Sequence, residues 1–233
     1  MKVAIHQPNY LPWLGFFHKL LCSDLFVFLD NVQFPRGKTF ISRTAIKSPQ
    51  GLNWLTIPIK GKSELKAIQD VELAKDGWWA AKHLKGLQAN YGRAEYFMQY
   101  YPGLAQVYTD TTAHLADFNI AMINCLARWL GSKAEVVRAS QLGLKQVPDG
   151  LERIIAICQA VGASSYITGE GAGSLRYMDE AAFNRNGIKV IKQQFLHPAY
   201  SQLWGEFIPK LSVVDLLFNH GPDARRIILG QEN

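Results

Sequence analysis

The chain has 233 residues, of which 48% are hydrophobic, and its 25 Lys and Arg against 19 Asp and Glu give a formal net charge of +6. This hydrophobic fraction is enough to build a packed core, so the composition excludes a disordered protein. No apolar run approaches the roughly 20 residues that cross a bilayer, and the N-terminus lacks the apolar stretch of a signal peptide, so we expect no membrane span and a cytoplasmic location.

The opening residues predict a β-loop-α-β unit. Residues 2–6 form a short apolar run, after which Pro8 and Pro12 prevent a helix before about residue 13. Helical spacing follows over residues 15–21, and residues 25–29 are a continuous apolar run of the kind found in buried parallel strands. This order of elements is typical of an α/β protein.

The middle of the chain predicts an edge strand and a helical insert. Residues 53–60 alternate in strand fashion, and a proline within them favours the edge of a sheet. The insert spans about residues 76–131 and includes a long predicted helix over 102–130, in which Pro102 suits a first turn and Gly131 suits the stop.

The rest of the chain returns to alternating strands and helices. Strands are predicted over 134–139, 165–168 and 188–195, with helices over 150–162 and 179–186 between them. We therefore expect one α/β domain over residues 1–233, with a Rossmann-like, mostly parallel sheet and helices on both of its faces.

The first segment with ligand-binding character follows the first predicted strand. It offers hydrogen-bonding groups and aromatic faces at His6, Gln7, Asn9, Tyr10 and Trp13. A loop shaped by prolines, with no ligand, explains the same residues equally well.

The second segment covers residues 30–47 and is rich in cations. Arg43 and Lys47 lie four apart, so on a helical turn both would point one way and clamp a phosphate or a carboxylate. The alternative is a solvated basic loop. The candidate binding residues here are Asp30, Gln33, Arg36, Lys38, Arg43 and Lys47.

The third segment is a glycine-rich turn directly after the strand predicted at 165–168. Gly169, Gly171 and Gly173 allow backbone amides to approach an anion, and Tyr177 is placed to stack on a ligand. The same glycines also suit a tight turn between a strand and a helix.

The fourth segment supplies the best candidate for a general base, His197, because an imidazole titrates near neutral pH. Ser212 is a predicted helix N-cap. The other four histidines (His18, His83, His114 and His220) are expected at the surface, and the candidate binding residues are Tyr200, Gln202, Ser212, Asp215 and Asn219.

Metal and disulfide chemistry lack their usual patterns. There is no H-E-x-x-H or C-x-x-C spacing, so we expect no metal site. Cys22, Cys125 and Cys158 are too few and too widely spaced for a disulfide framework, and we expect them to be small core residues.

Several motifs, in order along nearly the whole chain, carry a resemblance to a known family. They include His6-Gln7-Pro8-Asn9-Tyr10, His197-Pro198-Ala199-Tyr200-Ser201-Gln202 and the residues at 24–34, 42–47, 54–58 and 211–219. With these motifs the chain resembles the WbqC-like protein family. One departure is Ser42 before Arg43, where the family more often has asparagine.

The resemblance implies a role in bacterial O-antigen or related surface-polysaccharide synthesis, as a glycine transferase. The expected reaction moves an activated glycyl or aminoacyl group onto the amine of a nucleotide-linked amino sugar, with His6 or His197 taking the proton. The donor would be a glycyl-adenylate, formed with ATP and magnesium, or a glycyl-tRNA.

A more distant similarity is to the HIGH-type nucleotidyltransferases, such as pantothenate synthetase. Gly15 stands where that motif has glycine, whereas Trp13 and Phe16 replace its histidines. Two alternatives therefore stay open: a nucleotidyltransferase or ATP-dependent ligase, and an accessory protein that binds nucleotides or sugars without turnover.

Overall fold

The computed structural model describes residues 1–61, 66–74, 77–110, 112–144, 149–169, 171 and 178–231. The strands are β1 (Lys2–His6), β2 (Leu25–Phe28), β3 (Arg43–Ser48), β4 (Gly51–Thr56), β5 (Glu135–Arg138), β6 (Ser165–Thr168) and β7 (Lys189–Lys192). The helices are α1 (Leu14–Leu21), α2 (Trp78–Tyr91), α3 (Phe97–Thr109), α4 (Leu115–Trp129), α5 (Gly150–Ala160), α6 (Glu180–Arg185), α7 (Val213–His220) and α8 (Ala224–Leu229).

The chain divides into two compact units, each assembled from three segments. Unit 1 contains Met1–Gln7, His18–Asn31 and Lys133–Phe195. Unit 2 contains Pro8–Phe17, Val32–Ser132 and Leu196–Asn233.

Unit 1 is a five-stranded sheet in the order β5-β2-β1-β6-β7. Every neighbouring pair in it is parallel. Helices flank the sheet, and this is the Rossmann-like α/β fold expected from the sequence. The continuous apolar run at β2 is buried along its whole length, as a strand between two neighbours requires.

One face of this sheet packs against α5 and α6. Val3, Leu25 and Tyr166 are matched in register and share a buried cluster with Cys158 of α5. The Tyr166 ring stacks on Phe183 of α6 with a centroid distance of 5.2 Å. Burying side chains of this size contributes about 1.5–3 kcal/mol each, so this cluster supplies much of the stability of unit 1.

Unit 2 combines a β-hairpin with helices α2, α3, α4, α7 and α8. Strands β3 and β4 pair antiparallel, from Arg43 opposite Thr56 to Ser48 opposite Gly51. Ser212 caps α7, where its hydroxyl accepts a bond from the backbone N–H of Val214, as predicted.

Several element boundaries differ from the sequence predictions. The long helix predicted over 102–130 is two helices, because the chain becomes extended at Asp110, and Pro102 lies inside α3 rather than in its first turn. The edge strand predicted to reach residue 60 ends at Thr56, two residues before Pro58, which has no N–H for a ladder. The last strand of the sheet ends at Lys192 rather than at residue 195.

No helix in the described part of the chain has the length and apolar character needed to cross a membrane.

Candidate functional site

Strands β1 and β6 of the unit 1 sheet stop pairing with each other before either strand ends. β1 pairs with β2 as far as His6 opposite Phe28, and β6 pairs with β7 as far as Thr168. The pairing of β1 with β6, however, stops at Ala4 opposite Ile167. The chain leaves β1 and β6 towards opposite edges of the sheet, so this is the topological switch point, where sheets of this kind bind ligands. We call residues 4–6 and 167–169 the switch point.

His6 closes β1 at the switch point. Its Nδ1 lies 2.9 Å from the carbonyl oxygen of Gln7, and a carbonyl only accepts, so Nδ1 carries the hydrogen and the lone pair is on Nε2. Burial, and then the nearby ammonium of Lys19, lower the pKa of His6 to about 4. At neutral pH the ring is therefore an uncharged hydrogen-bond acceptor.

Lys19 of α1 reaches the same place, although no sequence motif singles it out. The residue is buried, and its Nζ donates to the carbonyl of Ile5 at 2.9 Å. It also lies 5.7 Å from the ring centroid of Tyr166. Burial lowers the pKa of Lys19 to about 8. In the sequence it is an ordinary cation on a short helix, and only long-range packing shows that it is buried.

Asp30, a candidate ligand-binding carboxylate in the sequence, is bonded to residues of its own chain. It is fully buried, and Oδ2 accepts a 2.6 Å bond from Arg138 Nε. Ser140 donates to the same carboxylate from its backbone N–H at 3.0 Å and from its hydroxyl at 2.8 Å. These bonds connect the residue after β2 with the end of β5 and the residues that follow it.

The glycine-rich turn begins immediately after β6. The Thr168 hydroxyl donates to the carbonyl of Gly169 at 3.2 Å, and there is open space where a side chain on Gly171 would begin. Gly173 and Tyr177 lie outside the described residues.

A second polar cluster, in unit 2, joins residues from the second and fourth predicted segments. Asp215 is fully buried and accepts a 2.8 Å bond from the Tyr91 hydroxyl. That hydroxyl in turn accepts from the backbone N–H of Lys47, while Lys47 Nζ donates to Oε1 of Gln202 at 3.1 Å. Burial raises the pKa of Asp215, and the nearby carboxylate adds to the rise that burial causes in the pKa of Tyr200. We call these five residues the Asp215 cluster.

Arg43 and Lys47 do not form the clamp that the sequence suggested. They lie on strand β3 rather than on a helical turn, and although both project from one face of it, Lys47 is buried in the Asp215 cluster. Arg43 instead places its guanidinium 3.5 Å from the ring centroid of Trp54. Gln33, Arg36 and Lys38 are exposed.

Both ring nitrogens of His197 are bonded to backbone. Nδ1 donates to the carbonyl of Pro198 at 2.9 Å, and Nε2 accepts from the N–H of Lys210 at 3.0 Å. The ring also stacks on Trp13 at a centroid distance of 6.3 Å. Because β7 ends early, His197 does not directly follow a strand. It can take a proton only by giving up the bond from Lys210.

Other candidates from the sequence hold unit 2 together. The Tyr10 hydroxyl is buried and bonded to Nδ1 of His83 at 2.9 Å and to the Tyr108 hydroxyl. His83 itself is buried, so its expected surface location is wrong: it lies on the inner side of α2, where aromatic rings surround it. Asn9 is also buried, and the side-chain amide of Asn219 donates to the carbonyl of Asp215 at 2.7 Å.

In the described ranges, no three His, Cys, Asp or Glu side chains lie close enough together to hold a metal ion. Cys22 is half-buried, Cys125 and Cys158 are buried, and none of the three is in a disulfide.

Comparison with known proteins places this chain in a family. The model of the WbqC-like protein family matches residues 7–227. The chain is also 33% identical over 226 residues to the uncharacterized protein Rv1507c of Mycobacterium tuberculosis, covering 96% of this chain and 95% of that protein. No solved structure matches. The chain belongs to the WbqC-like protein family.

Proposed function

We propose that this protein is a transferase of bacterial surface-polysaccharide synthesis that acts in the cytoplasm. Its acceptor is the amine of a nucleotide-linked amino sugar, and its donor is an activated glycyl group. The acceptor binds at the switch point of the unit 1 sheet, with His6 as the base. Membership of the WbqC-like family supports the biological setting, and the geometry of unit 1 supports the place of the reaction.

The observation that carries this proposal is the uncharged His6 at the point where β1 and β6 separate. A ring whose pKa is about 4 stays unprotonated throughout the physiological pH range. Its tautomer is set by the bond from Nδ1 to Gln7, so Nε2 is the proton acceptor. In His197, Nε2 accepts a hydrogen bond from the backbone N–H of Lys210.

The chemistry uses His6 to accept one proton and return it. The neutral amine of the sugar attacks the glycyl carbonyl: the C–N bond forms, the π electrons of the C=O bond move onto its oxygen, and the nitrogen becomes positively charged. The uncharged ring of His6 takes a proton from this nitrogen. The oxyanion then re-forms the C=O bond as the bond from the glycyl carbon to the donor oxygen breaks, and the proton passes from His6 to the leaving oxygen.

The test is a mass-spectrometric transfer assay. Purified protein is incubated with a UDP-linked amino sugar and with either glycyl-tRNA or glycine, ATP and magnesium. We expect the acceptor to gain one glycyl unit with one of these donors. His6→Asn should lower the rate at least ~100-fold, which is typical for loss of a general base. The matched control, His114→Asn, changes a histidine outside unit 1 and should leave the rate unchanged.

Three results would overturn the proposal. Absence of any glycyl gain, with the UDP-sugar still bound, would make the protein a binding accessory. Magnesium-dependent release of pyrophosphate with transfer of a nucleotide would make it a nucleotidyltransferase. Loss of activity in a folded His197→Asn variant, with His6→Asn fully active, would move the base to unit 2.

A further inference from the structure

Lys19 is a buried cation without a carboxylate partner in the described part of the chain. Its ammonium has three hydrogens to donate, and the described structure supplies the Ile5 carbonyl at 2.9 Å and the face of Tyr166. Lysine is almost never fully buried unless it is paired. A lysine kept in such a place therefore calls for an explanation.

The ammonium lies where the pairing of β1 with β6 ends. Ile5 is the first residue of β1 beyond the pairing with β6, and Lys19 bonds its carbonyl at this point. The ammonium therefore stands beside the opening between the two strands. It is also close enough to His6 to lower the pKa of that ring.

The charge at the switch point is not balanced by its described neighbours. His6 is uncharged at neutral pH, and the carboxylate of Asp30 is already bonded to Arg138 and Ser140. The Cys158 thiol also interacts with Lys19, but burial raises the pKa of this thiol to about 12, so it carries no charge either. Desolvating an ammonium costs free energy that a single carbonyl and an aromatic ring recover only in part. A phosphate in the opening would supply the missing counter-charge and would accept the remaining hydrogens.

We propose that Lys19 is the anion-binding residue of the switch point and that its counter-ion is a phosphate group of the bound ligand. This rests on the proposed function for the location of the site, and it assigns the diphosphate of the nucleotide-linked sugar to Lys19. Binding this diphosphate holds the sugar beside His6.

Binding is tested without any transfer reaction. Calorimetric titration with UDP, inorganic pyrophosphate and uridine separates a nucleoside diphosphate from a free phosphate and from the base and ribose. We expect UDP and pyrophosphate to bind, and uridine to bind at least ten times more weakly. Lys19→Met should weaken UDP binding at least tenfold. The control Lys189→Met removes the same charge from an exposed position on β7 and should change UDP binding less than twofold.

A second measurement uses the unaltered protein. The ¹⁵N signal of Lys19 Nζ reports its protonation, and pyrophosphate should raise the pKa of Lys19 by stabilising the ammonium. A lysine that only supports the Ile5 carbonyl would keep its pKa. Lys19→Met should unfold at the same temperature as the parent protein or at a higher one, because a buried charge is replaced by an apolar chain of similar length.

The outcomes are decisive. Equal UDP binding by the parent protein and Lys19→Met, or an unchanged Lys19 signal with pyrophosphate, overturns the inference. Glu170 lies outside the described residues but follows β6 in the sequence. If Glu170→Gln lowers the pKa of Lys19 in the ligand-free protein, the counter-ion is internal and the inference is wrong. If UDP binds through Lys19 but no glycyl group is transferred, the inference stands and the proposed function fails.

Discussion

Tyr91 and Asp215 share a hydrogen bond of 2.8 Å, in which the hydroxyl donates to a carboxylate that has no exposed surface. The same hydroxyl accepts from the backbone N–H of Lys47 at 2.8 Å. The Tyr91 hydroxyl thus donates to a buried carboxylate and accepts from a buried backbone amide of a strand. The two residues lie 124 positions apart in the chain, so the bond joins α2 to α7.

Tyr91→Phe should therefore be costly despite its small change in shape. Both the Asp215 carboxylate and the Lys47 N–H lose a partner in a place that water does not reach. We expect the free energy of unfolding to fall by about 2 kcal/mol or more, measured by urea denaturation. The control is Tyr101→Phe, whose half-buried hydroxyl makes a 3.3 Å bond to the Leu84 carbonyl, and which should lose well under half as much. Equal losses would contradict this account.

Gly221, at the end of α7, should not tolerate alanine. Its φ is +52°, and a Cβ there would lie 2.3 Å from a ring carbon of Tyr96. Gly187 also has a positive φ, of +72°, but with open space around the Cβ position. We expect Gly187→Ala to cost about 1–2 kcal/mol for backbone strain alone. Gly221→Ala should cost clearly more in the same thermal and urea unfolding experiments, and a similar cost would show that Tyr96 moves away freely.

Asp30→Asn tests the structural role of that carboxylate. The variant removes the carboxylate charge that accepts from Arg138 Nε while preserving side-chain size. Removing one partner of a buried ion pair costs about 3–5 kcal/mol, and since Arg138 is partly exposed we expect the lower end of this range. Asp24→Asn is the control, because the exposed Asp24 bonds the backbone N–H of Lys2 at 2.7 Å and should cost about 1 kcal/mol. A loss of UDP binding with no loss of stability would instead give Asp30 a direct role at the ligand.

The protein should lose stability as the pH falls from about 6.5 to 4. Burial lowers the pKa of His83 from 6.5 to about 4, so in this interval the unfolded chain binds more protons than the folded one. The corresponding penalty for His83 reaches about 3 kcal/mol at the acid end. His6 has a similar shift, so His83→Gln should remove part of the pH dependence and not all of it.

The measurement is urea denaturation of both proteins at several pH values across this interval. His114→Gln is the control, because its side chain is 42% exposed, and it should leave the slope unchanged. A parent protein whose stability is flat between pH 4 and 6.5 would contradict the buried, uncharged state of His83.

The sheet was predictable because its strands carry local signals. The continuous apolar run at β2 and the alternation of helices and strands after residue 134 specify parallel strands without any knowledge of the rest of the fold. Ser212 was likewise readable as a cap, since an N-cap depends only on the residues that follow it.

The candidate site was harder to predict, because burial depends on residues far away in the chain. Two residues four apart lie on one face of a strand as well as of a helix, so the spacing of Arg43 and Lys47 does not distinguish the two structures. Nothing near Lys47 in the sequence shows that it is buried and bonded to Gln202. His83 lies on a helix of mixed composition, and its burial requires Tyr10 and Trp79 to pack around it. Lys19 is the hardest of these residues to predict. Its burial and its bond to Ile5 depend on where β1 stops pairing with β6, and that point is not visible in the sequence of the helix.

The pairing of Lys2 with Ser165 has a consequence for how the protein is made. β1 is synthesised before its sheet neighbours, and β2 follows soon after it, yet β6 is synthesised only after more than a hundred further residues. The edge of β1 that pairs with β6 therefore stays unpaired while the residues between β2 and β6 are synthesised. Contacts of such long sequence separation make folding slow and expose unpaired edges to other chains. Nascent chains stalled before residue 165 should accordingly be the form of this protein most prone to aggregate.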